Sequence, residues 1–111
     1  MDTVNFLAQF NEDIKKMKAQ APDTVGAFAN LFNKTMGEGA LTVKQKELIA
    51  LAVALAVQCK PCIALHVKKS IDAGATKEQM IEACGVSVLM AGGPAYTNMP
   101  EVINAIEDIS S

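Results

Sequence analysis

The chain has 111 residues, half of them apolar, with a formal charge of -2. That length suits one compact domain, read here as residues 1–111, with core enough to fold but much apolar surface left over. No basic stripe or block is present, there is no Trp, and Phe and Tyr number 4 and 1, so neither a nucleic-acid-binding surface nor stacking on bases is expected.

Residues 3–20 read as a first helix, with Val4, Leu7, Ala8, Phe10, Ile14 and Met17 mostly three or four apart. Pro22 offers the start of a second, which carries Val25, Phe28, Ala29, Leu31, Phe32 and Met36 and stops at Gly37-Glu38-Gly39. Thr42 with Gln45 has the spacing of a capping box and opens a third helix to about Gln58. From Leu48 to Val57 that helix is apolar all round. Such a helix is expected to be buried on every side, in the middle of a bundle or in a subunit interface.

Cys59-Lys60-Pro61-Cys62 breaks the run, and Pro61 suits the first turn of a fourth helix through His66 and Ile71, closed by Gly74. Thr76 and Gln79 repeat the capping-box spacing before a fifth helix through Met80, Ile81, Cys84, Val88 and Leu89. Gly92-Gly93-Pro94 interrupts, and a sixth segment covers Ala95 to about Ile109, with a kink expected at Pro100. No strand-like alternation is seen. The fold class is therefore all-α, a compact bundle of about six helices.

The start, Met1-Asp2-Thr3-Val4-Asn5, lacks the basic region and long apolar run of a secretory signal. The run Leu48–Val57 is far short of the roughly 20 residues that cross a bilayer. A cytoplasmic protein with no membrane contact is expected. In that setting three cysteines, two of them in C-x-x-C, point to redox or metal chemistry.

Cys59, Cys62 and His66 form C-x-x-C-x-x-x-H. Residues three and four apart share a helix face, so the two sulfurs and the imidazole can be neighbours. Cys62 falls in the first turn of its helix, where unpaired N–H groups and the dipole favour a thiolate. His66, the one histidine, is a proton carrier suited to neutral pH. Together they make an activated nucleophile, a resolving thiol and a base. Two bland readings stand beside this one: a buried cysteine pair, and a zinc site in which Cys84 is the fourth ligand. No second C-x-x-C or H-x-x-x-H supports zinc, and Cys84 lies in an apolar face and reads as core. Glu47, by spacing alone, reads as a solvated first-turn glutamate. Twelve residues of helix set it ~18 Å from Cys59, and it meets His66 only if the fourth helix folds back along the third or another subunit intervenes.

Lys46-Glu47-Leu48-Ile49-Ala50-Leu51-Ala52-Val53-Ala54, leading into Cys59-Lys60-Pro61-Cys62-Ile63-Ala64-Leu65-His66, resembles the alkylhydroperoxidase D-like branch of the carboxymuconolactone decarboxylase family. That branch carries E-x11-C-x-x-C-x-x-x-H, matched here at every fixed position. Ala73–Gln79, Gly92-Gly93-Pro94-Ala95 and the acidic last helix are similar to it as well, so the likeness covers about residues 22–109. Only residues 1–41 precede the motif, as in a short, single-motif member.

The resemblance implies an all-helical fold assembling through apolar helices into homo-trimers or homo-hexamers. It implies a peroxidase or disulfide oxidoreductase, with Cys62 attacking a peroxide, Cys59 resolving, and Glu47 with His66 relaying protons. The implied partners are a peroxide or small disulfide substrate and an external thiol or dithiol reductant, with no cofactor and no metal. Decarboxylating members are expected to lack the cysteine pair, which counts against that activity here. A decarboxylase-like enzyme using His66 and Glu47 with spectator cysteines, a protein disulfide reductase and a zinc-binding assembly module remain the other readings.

Overall fold

A computed structural model describes residues 2–110. Six helices follow in chain order: α1 (Asp2–Gln20), α2 (Pro22–Met36), α3 (Val43–Ala56), α4 (Lys60–Asp72), α5 (Lys77–Ala91) and α6 (Gly93–Ser110). No strand occurs among the described residues. Both capping boxes form. The Gln45 N–H donates to Thr42 Oγ1 at 3.1 Å while Thr42 N–H donates to Gln45 Oε1 at 2.9 Å, and Thr76 and Gln79 repeat the pattern at the same distances. Each box satisfies two N–H groups that a helix start leaves without partners.

The core lies among the last four helices. Leu51, Ala54 and Leu55 of α3 meet Ile63 and Val67 of α4, Met80 and Cys84 of α5, and Ala95, Val102, Ala105 and Ile106 of α6. The alanines let helix backbones approach closely, and the Ser87 hydroxyl pins α5 to α3 by donating to the Ala52 carbonyl at 2.8 Å. The α1–α2 hairpin packs outside this core, and neither helix has a fully buried residue. Two devices hold it. The Thr3 N–H and hydroxyl both donate to Asp108 Oδ2, at 3.1 and 2.8 Å, tying α1 to α6 and holding the Asp108 carboxyl below its ordinary range. The Lys46 ammonium of α3 donates to the Thr35 and Gly37 carbonyls at 2.8 and 2.6 Å, completing the C-terminal end of α2.

Three sequence expectations are corrected. The third helix is not buried on every side within one chain: Leu51, Ala54 and Leu55 face the core, but Ile49, Val53 and Val57 are exposed. An all-apolar stretch hides which side its neighbours cover. The helix ends at Ala56, two residues earlier than expected. The sixth helix begins at Gly93 rather than Ala95, leaving Gly92 alone outside helices, while its continuation past Pro100 is as expected.

Between α3 and α4 the chain turns sharply. Gln58 sits in the left-handed region at φ 58°, its N–H donating to the Leu55 carbonyl and that of Cys59 to the Ala54 carbonyl. This is a Schellman closure with glutamine where glycine is usual. The end of α4 uses the same closure with Gly74 at φ 92°. No neighbouring atom would obstruct a Cβ at Gly74, so only the backbone conformation resists one there. Gly74→Ala is expected to destabilise the fold by about 1 kcal/mol and Gln58→Gly to stabilise it by ~0.5 kcal/mol. Urea denaturation midpoints of the two variants check the opposite signs.

Candidate functional site

The sharp turn sends α4 back along α3, and this decides the site. Glu47, near the start of α3, is not the solvated residue its spacing suggests; it is 4 % exposed. Nδ1 of His66 lies 2.7 Å from Glu47 Oε1, the two side chains being 12 % and 5 % exposed. The bond forms within one chain, across 19 positions of sequence. Drawn with Nδ1–H as donor to the carboxylate, it fixes the imidazole's tautomer and orientation and leaves Nε2 as the nitrogen that exchanges protons with a reactant.

Cys59 and Cys62 are joined as a disulfide, their Cα atoms 5.2 Å apart. Cys59 is the N-cap of α4, and its sulfur accepts from the Cys62 N–H at 3.3 Å. Pro61 in that first turn needs no hydrogen-bond acceptor for its nitrogen. Both sulfurs are therefore held at the positive end of a helix, where a developing thiolate is favoured. Both cysteines are half-buried. His66 follows Cys62 by one turn on α4, and its hydrogen bond goes to Glu47 rather than to sulfur.

Two groups that sequence reasoning passed over touch this site. The Phe32 ring stacks on the His66 ring, centroids 6.0 Å apart and planes 15° from parallel. The Lys69 ammonium lies 5.3 Å from the centroid of the same ring. In sequence Phe32 is one more apolar residue on an amphipathic helix, and nothing there marks it as a neighbour of the histidine. A cavity of about 400 Å3 lies elsewhere: Phe6, Lys60, Ile63, Glu101, Asn104 and Ala105 are among its lining residues. It borders the first turn of α4 but includes none of Glu47, Cys59, Cys62 and His66.

Cys84 is a core side chain at 0 % exposure, as its apolar helix face suggests. Among the described residues no three His, Cys, Asp or Glu side chains gather so as to hold a metal ion. Burial pushes the Cys84 thiol up to about 11. The folded state therefore keeps this proton more tightly than the unfolded chain, whose thiol ionises near 9.0. The stabilisation is full below that value and is lost as pH climbs toward 11. In the reduced native protein at pH 8, iodoacetamide is expected to modify two cysteines and to reach Cys84 only after denaturation, as read by intact mass. A third label entering the native protein as fast as the other two contradicts this.

The model of the carboxymuconolactone decarboxylase family matches residues 22–105. The chain belongs to this family. Its fold is shared by a carboxymuconolactone decarboxylase family protein of Legionella pneumophila, solved in its apo form, at TM-score 0.94 and 32 % identity over 99 % of this chain and 98 % of that one. A family protein of Thermotoga maritima has the same fold at TM-score 0.85, 21 % identity, and 94 % and 89 % coverage. In sequence, an uncharacterised protein of the cox locus of Paracoccus denitrificans is 40 % identical over 83 residues, 75 % of each chain. The family match takes in Glu47, Cys59, Cys62 and His66, whereas α1 lies outside it. No described helix of this family member is long and apolar enough to cross a membrane.

Proposed function

We propose that the protein is a thiol-dependent peroxidase of the alkylhydroperoxidase D-like kind. The observation that carries this reading is the Cys59–Cys62 disulfide at a helix start, one turn from a histidine held by a buried carboxylate. In the reduced protein the Cys62 thiolate attacks the outer oxygen of a hydroperoxide. The S–O bond forms, the O–O bond breaks, and the leaving alkoxide or hydroxide takes a proton relayed through His66. Cys62 is then a sulfenic acid. The Cys59 thiolate attacks that sulfur, the S–S bond forms, and hydroxide leaves as water with a second proton. An external dithiol resets the pair by thiol–disulfide exchange and leaves as its own disulfide.

In this scheme Glu47 orients His66 and balances the charge it acquires on protonation. A cytoplasmic setting, where thiols are kept reduced, fits such a cycle. A part in antioxidative response has been suggested for the Thermotoga protein, which accords with peroxide as substrate. Assembly into a homo-trimer or homo-hexamer belongs to the same reading: Ile49 and Val53 on α3, Val57 just past its end, and Val86, Leu89 and Met90 on α5 are large apolar side chains left exposed, suited to burial between copies.

Steady-state turnover with hydrogen peroxide or an organic hydroperoxide, in the presence of excess dithiothreitol, tests the proposal. Peroxide loss matched one to one by dithiol oxidation supports it. Reduction of a small disulfide without peroxide loss reduces the function to a disulfide oxidoreductase, and the absence of both overturns the reading.

A further inference from the structure

We propose that Phe32 is a positioning residue for the Glu47–His66 pair, a roof contributed by α2 that keeps water off their hydrogen bond. The ring lies over His66 and also faces Lys69, three residues further along α4. Residues so spaced are neighbours on a helix surface, so one aromatic ring covers both. Of the large apolar residues beside it on α2, Phe28 and Leu31 are 64 % and 61 % exposed, while Phe32 is half-buried, with the Phe28 ring 6.4 Å from its own. Lys46, the residue before Glu47, holds the end of α2 through the Thr35 and Gly37 carbonyls, within a few residues of Phe32. The α3 turn that supplies the carboxylate thus also holds the helix that supplies the roof.

A ring stacked on an imidazole restricts its rotation and removes water from one side. A hydrogen bond shielded in this way is electrostatically stronger than one open to solvent. Without Phe32 the pair is exposed on the α2 side, and water competes for both Glu47 oxygens and for Nδ1–H. The consequence for thiol chemistry rests on the peroxidase reading; the shielding itself does not.

The protein contains one histidine and no Trp, so a ring N–H proton resonance at low field belongs to His66 alone. In the full-length reduced protein at neutral pH, this proton is expected to be visible and slow to exchange with water. In Phe32→Ala its exchange accelerates by about tenfold or more, or it vanishes by broadening. In Phe32→Leu, which keeps an apolar cover, it persists. In Leu31→Ala, on the same helix and 61 % exposed, it is unchanged, which separates the roof from any general loosening of α2. Should Phe32→Ala release α2 altogether, seen as loss of its slowly exchanging amides, Phe32→Gln decides: with α2 still in place, faster exchange supports the roof and unchanged exchange overturns it. A wild-type spectrum without the proton, or an exchange rate that Phe32→Ala leaves alone, overturns the proposal. If the proton is lost in Phe32→Ala and peroxide-driven thiol loss keeps its rate, the roof stands and the proton-relay role of His66 falls.

Discussion

Cys62→Ser is expected to abolish peroxide consumption, to below about one part in 10³ of the wild-type rate, because a hydroxyl at this position cannot replace the thiolate as nucleophile. Cys59→Ser behaves differently. Its Cys62 is still oxidised once, but the sulfenic acid has no resolving thiol and accumulates. Mass spectrometry after one equivalent of peroxide reads the difference: a gain of one oxygen in Cys59→Ser, trapped by dimedone, and no adduct in Cys62→Ser. The geometry raises the competing assignment, since Cys59 is the N-cap and its sulfur accepts the Cys62 N–H. If the two variants exchange behaviour, Cys59 is the attacking residue and the helix start acts through the cap position.

Glu47→Gln carries the second large effect. The amide is nearly isosteric and can still accept from Nδ1–H, so the fold is expected to persist. It has no charge to balance a protonated imidazole, and general acid–base assistance of this kind is worth ~10²-fold or more. Thiol loss driven by peroxide, followed by rapid quench and thiol counting, is expected to slow by about that factor. His66→Asn is expected to slow it comparably, and the double variant to be little worse than either single one, since each change disables the same relay. Glu47→Leu goes further. It leaves a buried histidine without its partner, at a cost of about 1–3 kcal/mol of stability. Additive losses in the double variant would mean that the two side chains act separately despite their 2.7 Å contact.

Much of this architecture is legible in the residues because it is local. Thr42 with Gln45 and Thr76 with Gln79 mark two helix starts with the chemistry that makes them. The C-x-x-C-x-x-x-H spacing places two sulfurs and an imidazole on one helix, and the all-α fold follows from periodicity. Glu47 is the opposite case. Its spacing argues for solvent, and only the reversal at Gln58 buries it against His66. That reversal has no sequence marker, because glutamine stands where the left-handed turn usually takes glycine. Resemblance to a family, rather than spacing, is what singles Glu47 out.

Positions set by packing between helices are harder still to read. An apolar run such as Leu48–Val57 shows that its side chains are suited to burial, not which of them a neighbour covers; Leu51 is buried while Val53, two positions on, is exposed. Phe32 reads as one apolar residue among several on α2, and its contact with His66 depends on how the α1–α2 hairpin sits against α4. The start of α6 at Gly93 puts Pro94 in the first turn, where proline suits a helix start as Pro22 and Pro61 do, and Ala95 and Val102 pack into the core.

The central claim is that Cys59 and Cys62 form a peroxide-driven redox pair while Cys84 stays apart. The reduced protein treated with one equivalent of hydrogen peroxide, then denatured and assayed for free thiols, tests it most directly. Of its 3 cysteines, two are predicted to be lost and restored by dithiothreitol while Cys84 remains free throughout; in Cys62→Ser, which keeps only Cys59 and Cys84, neither is lost. All the thiols still free after hydrogen peroxide, and again after an organic hydroperoxide, would contradict the account.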